Sequence, residues 1–542
     1  MKTMKKYLSM AALALVGAIM TGCSSSDDDS IIDNPQQPVN TSKTVTLTTT
    51  VSMEGGATTR ALTPDGKKTF AAGEKIAVIY TTNGGATAKA VSEALQNNGD
   101  ITDDGKSATF TVTLNDPNKS ANVTYIYPAA MANSDGSINY AALNSQDGTL
   151  ATLSSNLDLA TYTGAWDAGA LPTGTLTNPL AILAMTLKND AGGSNITSSI
   201  TGMTIKEGSN TYAISGISSA STIYVAINPT SSANLEITAT GGTKTYAKAL
   251  SGKTYAANHG YNVTWRMAEV ISGKFSVSST KQVYFSKSNL NAKTNDNGAT
   301  WNWHFVDTQY ARVGGSPDGK GTLTGNNYIN GNRSVTDDGN DKNIDLFGWS
   351  TANTYLGINN STDNSTYSGD FVDWGSHADV IAGIGTGWRT LTCYEWRYLT
   401  STRTTPSGKR FVMAQKGTRG GMILLPDDWN TSYYSLNDYN DASVAFSANS
   451  LNDSQWATLE AHGAVFLPVT GQRNSGTTVN GADAQLHYWS ATLTSGTTTS
   501  ANHLRWMPNN TTTVANRGLA PDTGAGRCNG FSVRLVRDVK AN

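Results

Sequence analysis

The chain is short of charge: only 15% of its 542 residues are Asp, Glu, Lys or Arg, and the formal net charge is −2. Without a basic excess there is little to displace counterions from a phosphate backbone, which excludes nucleic acid as a partner. Long apolar runs are lacking too. The one candidate, Tyr7 to Met20, falls short of the roughly 20 residues a spanning helix needs. Histidine is sparse, and His304, His377, His462, His487 and His503 stand singly, as hydrogen-bonded structural residues usually do. No H-E-x-x-H pair, nucleophile elbow or phosphate loop is present. Asp370, Asp373, Asp427 and Asp428 give a glycosidase no distinguished pair of carboxylates. The expectation is a protein that is not an enzyme and carries no cofactor. Cysteine is scarcest of all, with three residues.

The first of these, Cys23, closes the run Met20, Thr21, Gly22, Cys23 after a segment with Lys2, Lys5 and Lys6 at its head. Positive residues, a short apolar stretch and small residues make a signal peptide over 1–22. A cysteine directly after the cleavage point is the pattern of a bacterial lipoprotein, whose thiol is acylated by several chains for a stable anchor. The following Ser24, Ser25, Ser26, Asp27, Asp28, Asp29 resembles the acidic tether of lipoproteins sent to the outer face of the outer membrane in Bacteroides-like bacteria. A periplasmic lipoprotein with a polar leader is the other reading. Residues 23–42 hold Pro35, Pro38 and several Asp and Ser, too little apolar surface to fold, and read as a flexible tether. With Cys23 lipidated, Cys393 and Cys528 remain, either as one disulfide in an oxidising exterior or as two buried thiols.

What the chain does have is glycine (53 residues) with abundant Thr, Ser and Asn, a composition suited to short strands and tight turns. The fold class is mainly β. Aromatics divide it: of 12 tryptophans only Trp166 precedes residue 265. Different cores imply different domains, here 43–170, 171–270 and 271–542. Val45, Leu47, Thr49 and Val51 alternate with polar neighbours, the two-residue period of a half-buried strand. KIAVIY (75–80), Val123 to Tyr127, AILAMTLKN (181–189), STIYVAINP (221–229) and LEITATGG (235–242) continue the pattern, and Tyr261, Val263, Trp265 and Met267 close it. The last domain mixes strands with short helices. Thr392 with Glu395, and Asn452 with Gln455, are capping boxes. Leu391 with Trp396, and Leu451 with Trp456, are the matching staples, and Gly463 is a stop. Trp396 and Trp456 are assigned to the core.

The segment TTRALTPDGKKTFAAGEKIAVIY (58–80), with TYIYPAA (124–130), DLATY (158–162) and LTNPLAILAMTL (176–187), resembles fimbrillin-type pilins over about 43–270. The resemblance implies two tandem pilin-like β-sandwiches. It also implies cleavage after Arg60, loss of the first strand, and its replacement by a strand from another pilin subunit. A loop arginine that is never cut is the alternative for Arg60. Stalk subunits donate a terminal strand onward, whereas this chain continues into a different domain, which implies a place at the fibre tip.

The series W-R-T-L-T-x-x-E-W-x-Y-L, I-L-L-P-D-x-W, YWSAT and G-F-S-V-R-L-V-R resembles the C-type-lectin-like fold of the formylglycine-generating, sulfatase-modifying family over 271–542. That family's reactive cysteine pair is missing, since only Cys528 lies near the C-terminus. The resemblance places Cys393 and Cys528 much as in the long-range disulfide of lectin-like domains, which would add about 4–5 kcal/mol by loop closure. The loop Asp337, Asp341, Asn343, Asp345 could reach one hard cation, yet its spacing is not that of an EF-hand and the lectin sugar triplets are absent, so it reads as a solvated loop with no metal. Recognition in such folds sits before the last strands, here Trp489, Arg505, Trp506, Asn509, Asn510 and Arg517, with Trp506 expected at the surface. Together these readings make a fimbrial tip adhesin, lipid-anchored in the outer membrane before processing and binding a surface glycan or protein receptor. The alternative is an unprocessed glycan-binding lipoprotein of a polysaccharide-uptake system.

Overall fold

The computed structural model describes residues 44–53, 69–96, 99–296, 299–311, 328–329, 332–334, 342–358, 361–437, 446–473, 479–508 and 518–540, and it is mainly β. No helix among these residues is long and apolar enough to cross a membrane.

The first eight strands are β1 (Thr44–Met53), β2 (Ala77–Thr81), β3 (Thr87–Val91), β4 (Ile101–Thr102), β5 (Ser107–Asn115), β6 (Val123–Tyr127), β7 (Ala160–Gly164) and β8 (Gly174–Leu176). They form two four-stranded sheets, ordered β4-β5-β1-β8 and β3-β2-β6-β7. Alternation drives the packing. In β5 the side chains of Ala108, Phe110, Val112 and Leu114 point inward while Ser and Thr point out. Phe70 locks the two sheets with edge-on contacts to Phe110 at 5.6 Å and Tyr127 at 5.4 Å. The core takes in Leu171 and Leu176, so the seam lies beyond the expected residue 170.

The second unit holds β9 (Ala181–Asn189), β10 (Gly202–Glu207), β11 (Asn210–Ser215), β12 (Ile223–Ile227), β13 (Thr230–Gly241), β14 (Lys244–Tyr255) and β15 (His259–Val270), ordered β11-β10-β13-β14-β15-β9-β12. β14 and β15 pair over only Thr245–Ala247. The sheet therefore turns a corner there, and Met203, Ile205 and Ile237 of one half share a core with Leu183, Met185 and Val225 of the other.

The connection between β6 and β7 closes this second unit. It carries helix α1 (Leu150–Asn156), capped by Thr149, and it buries Leu143, Leu153, Leu157 and Leu159 in the second core. Gln146 plugs the gap between the two edge strands. Its backbone N–H donates to Ala213 O at 2.9 Å, and its carbonyl accepts from Ser215 N–H at 2.9 Å, on β11. On β12 its side-chain amide donates to Ala226 O and accepts from Ala226 N–H, both at 2.8 Å. One residue thus imitates a strand to both edges, covering the unpaired groups that otherwise invite association.

The tryptophan-rich remainder is α+β, with helices α2 (Ala378–Ile384), α3 (Cys393–Arg397) and α4 (Asp453–Ala461) beside short sheets. Both expected capping boxes form, Thr392 with Glu395 and Asn452 with Gln455. Glu395 also takes Arg389, which reaches Asp538 near the C-terminus. Asp190 joins this unit to the preceding one by accepting the N–H and hydroxyl of Thr386 at 2.9 and 3.1 Å.

Candidate functional site

β1 is the strand on which the assembly reading depends. Its inward residues rise in burial along the strand: Val45 and Leu47 are half-buried, whereas Val51 is 0% and Met53 5% exposed. β1 runs antiparallel to β5 from Thr44↔Asn115 to Ser52↔Ser107. Against β8 it runs parallel over Val51, Ser52 and Met53 alone. From Thr44 to Thr50, then, one side of the strand has no strand partner among the described residues. On the outer face Thr46 pairs with Thr113 at 3.0 Å, Thr50 with Thr109 at 2.8 Å and Ser52 with Thr175 at 3.0 Å. Inside, Thr49 and Tyr125 both donate to Pro172 O, at 2.8 and 2.7 Å. The contacts at the strand's start are chiefly hydroxyl pairs in solvent, and the apolar grip lies at its end. Burial pushes the Tyr125 hydroxyl far above its ordinary value, so it stays a neutral donor. Cys23 and Arg60 lie outside the described residues.

The residues expected to bind a receptor are placed differently from expectation. Trp506 is 1% exposed and not at the surface, and Trp489 is equally buried. The reason is the sheet that holds them. Strands Leu486–Leu493 and Ser500–Met507 are antiparallel neighbours, with Leu486 opposite Trp506 and Trp489 opposite His503. One face of this pair sends Leu486, Tyr488, Leu504 and Trp506 into one core. The other sends Trp489 and Ala501 into a second core. A sheet covered on both faces leaves neither tryptophan to solvent. Arg505 is half-buried beside His487, and burial lowers its pKa. Asn509, Asn510 and Arg517 lie outside the described residues.

The disulfide is not formed; Cys393 and Cys528 are free and buried. Cys393 starts α3, its N–H donating to Thr492 Oγ1 at 3.1 Å and its sulfur facing the Asn502 amide at 3.5 Å. Cys528 sits elsewhere, its N–H on Asn364 at 3.0 Å and its carbonyl taking Arg473. Burial pushes the Cys528 thiol up, the opposite of an activated nucleophile. Of the acidic loop read as solvated, Asp337 and Asp341 lie outside the described residues, and Asp345 is buried. No group of three or more His, Cys, Asp or Glu able to hold a metal occurs among the described residues.

One arrangement escaped the sequence. His487 and His503, read as single residues, lie side by side with Nδ1 of the first 3.2 Å from Nε2 of the second. Phe531 stacks on His487 at 5.0 Å and lies tilted against His503 at 4.4 Å. Desolvation holds His487 well below its ordinary pKa and brings His503 down to about 3, so both are neutral. The signal was available: positions 487 and 503 flank a turn at a separation that an antiparallel hairpin brings together.

No family model matches the chain, and neither does any curated protein. Among solved structures it is similar to a fimbrial assembly protein of Parabacteroides distasonis, at 12% identity over 45% of this chain and 94% of that one, with a TM-score of 0.24. It is also similar to candidate cell adhesion proteins of Bacteroides fragilis (14% identity, 40% of this chain, 92% of that one, TM-score 0.22) and Bacteroides uniformis (17%, 42%, 94%, 0.23). These neighbours are fimbrial and adhesion proteins by name.

Proposed function

We propose that the chain is a fimbrial tip subunit, exported as a lipoprotein acylated at Cys23 and cut after Arg60. Cleavage frees β1, and a strand from another pilin subunit takes its place against β5. The C-terminal domain, of C-type-lectin-like type, then presents a glycan or protein receptor site at the fibre end. The observation that carries this reading is the single-sided pairing of β1 from Thr44 to Thr50. A terminal strand held along most of its length by one neighbour leaves by breaking one ladder, and the ladder it vacates offers main-chain groups to an incoming strand.

The test is made on cells. With Arg60→Ala the mature N-terminus should stay at Cys23, and incorporation into surface fibres should cease while export continues. Fibres assembled normally by Arg60→Ala cells, or a wild-type protein that keeps residues 23–60 on the surface, would refute the reading. The second of these results favours the unprocessed glycan-binding lipoprotein.

A further inference from the structure

A corner opens at the surface where the segment Thr351–Ile358 meets α2. Tyr355 is 44% exposed there. Its φ is +42°, followed by Leu356 at +61° and Gly357 at +76°. Two successive non-glycine residues in the left-handed region are strained, and such strain persists only where the surroundings impose it. They do. Leu356 is buried and its carbonyl accepts from Trp374 Nε1 at 2.8 Å. Gly348 N–H donates to Gly357 O at 2.8 Å, and a Cβ on Gly357 would lie 1.9 Å from Gly348 O. The backbone is clamped, and its product is an aromatic ring turned outward.

Polar groups bracket that ring. The Tyr355 hydroxyl donates to Asp379 Oδ2 at 2.6 Å. The imidazole of His377 stands at 90° to the phenol ring, with centroids 5.8 Å apart. Asp379 N–H donates to His377 Nδ1 at 3.3 Å, so in the neutral ring the proton sits on Nε2. His377 and Asp379 keep 32% and 49% of their side chains in solvent. α2, which carries Asp379 and is capped by His377, is pinned from beneath, because a Cβ on Gly383 would lie 1.9 Å from Trp303 O, and Trp303 stacks on Phe347 at 5.6 Å. Burial and the Asp379 hydrogen bond push the Tyr355 hydroxyl up to about 12, so it remains a neutral donor to the carboxylate. A tyrosine held at a backbone cost and left half in water contributes little to a core. Strain of this kind gathers at binding sites.

We infer that Tyr355, His377 and Asp379 form a carbohydrate subsite for one pyranose residue of a glycan. The electron-rich face of Tyr355 takes the C–H face of the sugar ring. His377 Nε2–H donates to one hydroxyl, and Asp379 accepts from another. A single apolar face between one donor and one acceptor suits a ring with one C–H face and hydroxyls at its rim. A peptide would call for an extended groove or an open strand edge. The inference rests on reading the C-terminal domain as the receptor-binding part.

The full chain and its Tyr355→Ala, Tyr355→Gly and His377→Ala variants are applied to a printed glycan array and melted in parallel. The wild type should bind pyranose-bearing glycans, and each variant should bind at least ~10-fold more weakly. Tyr355→Gly should melt at the wild-type temperature or above, since glycine takes a positive φ without strain. A residue that merely supports the fold would instead lower it. Glycan binding that survives in Tyr355→Ala overturns the subsite and leaves the receptor-binding reading standing. A wild-type chain that binds no glycan, or a Tyr355→Gly variant that melts well below wild type, overturns the subsite as well.

Discussion

Removing residues through Arg60 should destabilise the first sandwich and leave the rest folded. Val51 and Met53 are fully buried, and Val45 and Leu47 half-buried, against Phe110, Val112 and their neighbours. A fully buried side chain of this size contributes about 1.5–3 kcal/mol. The four together give about 5–9 kcal/mol, and a comparable apolar area on the facing residues returns to water when β1 leaves. The ordering entropy of β1 departs with it, so what remains is the exposure of the groove. Whole domains are stable by about 5–15 kcal/mol, so the first sandwich loses most of its margin. Calorimetry of the intact and Arg60-truncated chains would show it: one transition should move down by tens of degrees or vanish, while those of the other two domains stay. Hydrogen exchange should locate the loss in β5 and β8, which flank the vacated position. Unchanged transitions after truncation would refute the reasoning, because β1 would then carry none of the stability assigned to it.

Trp506→Ala should cost about 3–5 kcal/mol, the range for emptying a buried aromatic site. It should lower the melting temperature of the C-terminal domain, measured by near-UV circular dichroism, without a separate effect on ligand affinity. Acid should weaken the same domain through His487 and His503. Both have folded-state pKa values below the unfolded value of about 6.5, so the unfolded chain binds more protons between the two. Stability is complete above pH ~6.5 and falls as the pH drops below it by up to about 1.4 kcal/mol per pH unit for each ring; urea titrations of wild type and of His487→Gln/His503→Gln should differ in that slope. Gln146→Ala removes both bonds to Ala226 and should cost about 1–3 kcal/mol for the groups left unpaired. It should also promote self-association through β12, read by light scattering.

Local rules were legible in the sequence where one residue's neighbours decide its place. The alternation of Val45, Leu47 and Val51 gave the face of β1, and the Thr392–Glu395 and Asn452–Gln455 spacings gave both helix starts. Long-range cover was not legible. Trp506 looks like a loop-end aromatic in HLRWMPNN, and only the core that its face of the sheet packs into explains why it is buried. The 128–159 connection carries turn residues throughout, yet it fills the second core with leucines that follow no strand or long-helix period. Gln146 stands alone in sequence and becomes meaningful between β11 and β12, consecutive in the chain but at opposite ends of the sheet order, only because the sheet folds back. Cys393 and Cys528 each have their own polar neighbours, which elimination among three cysteines could not reveal. Tyr355 gave no signal, since a left-handed backbone at a non-glycine residue is imposed by tertiary contacts.

The most direct measurement offers the Arg60-cleaved chain a labelled peptide of the β1 sequence Thr44–Met53 and weighs the product by native mass spectrometry. A groove vacated by β1 should take up one peptide per chain, restore hydrogen-exchange protection in β5, and reject a peptide in which Val51 and Met53 are replaced by Asp. If the cleaved chain retains its own first strand, or takes up neither peptide, assembly through this position is contradicted.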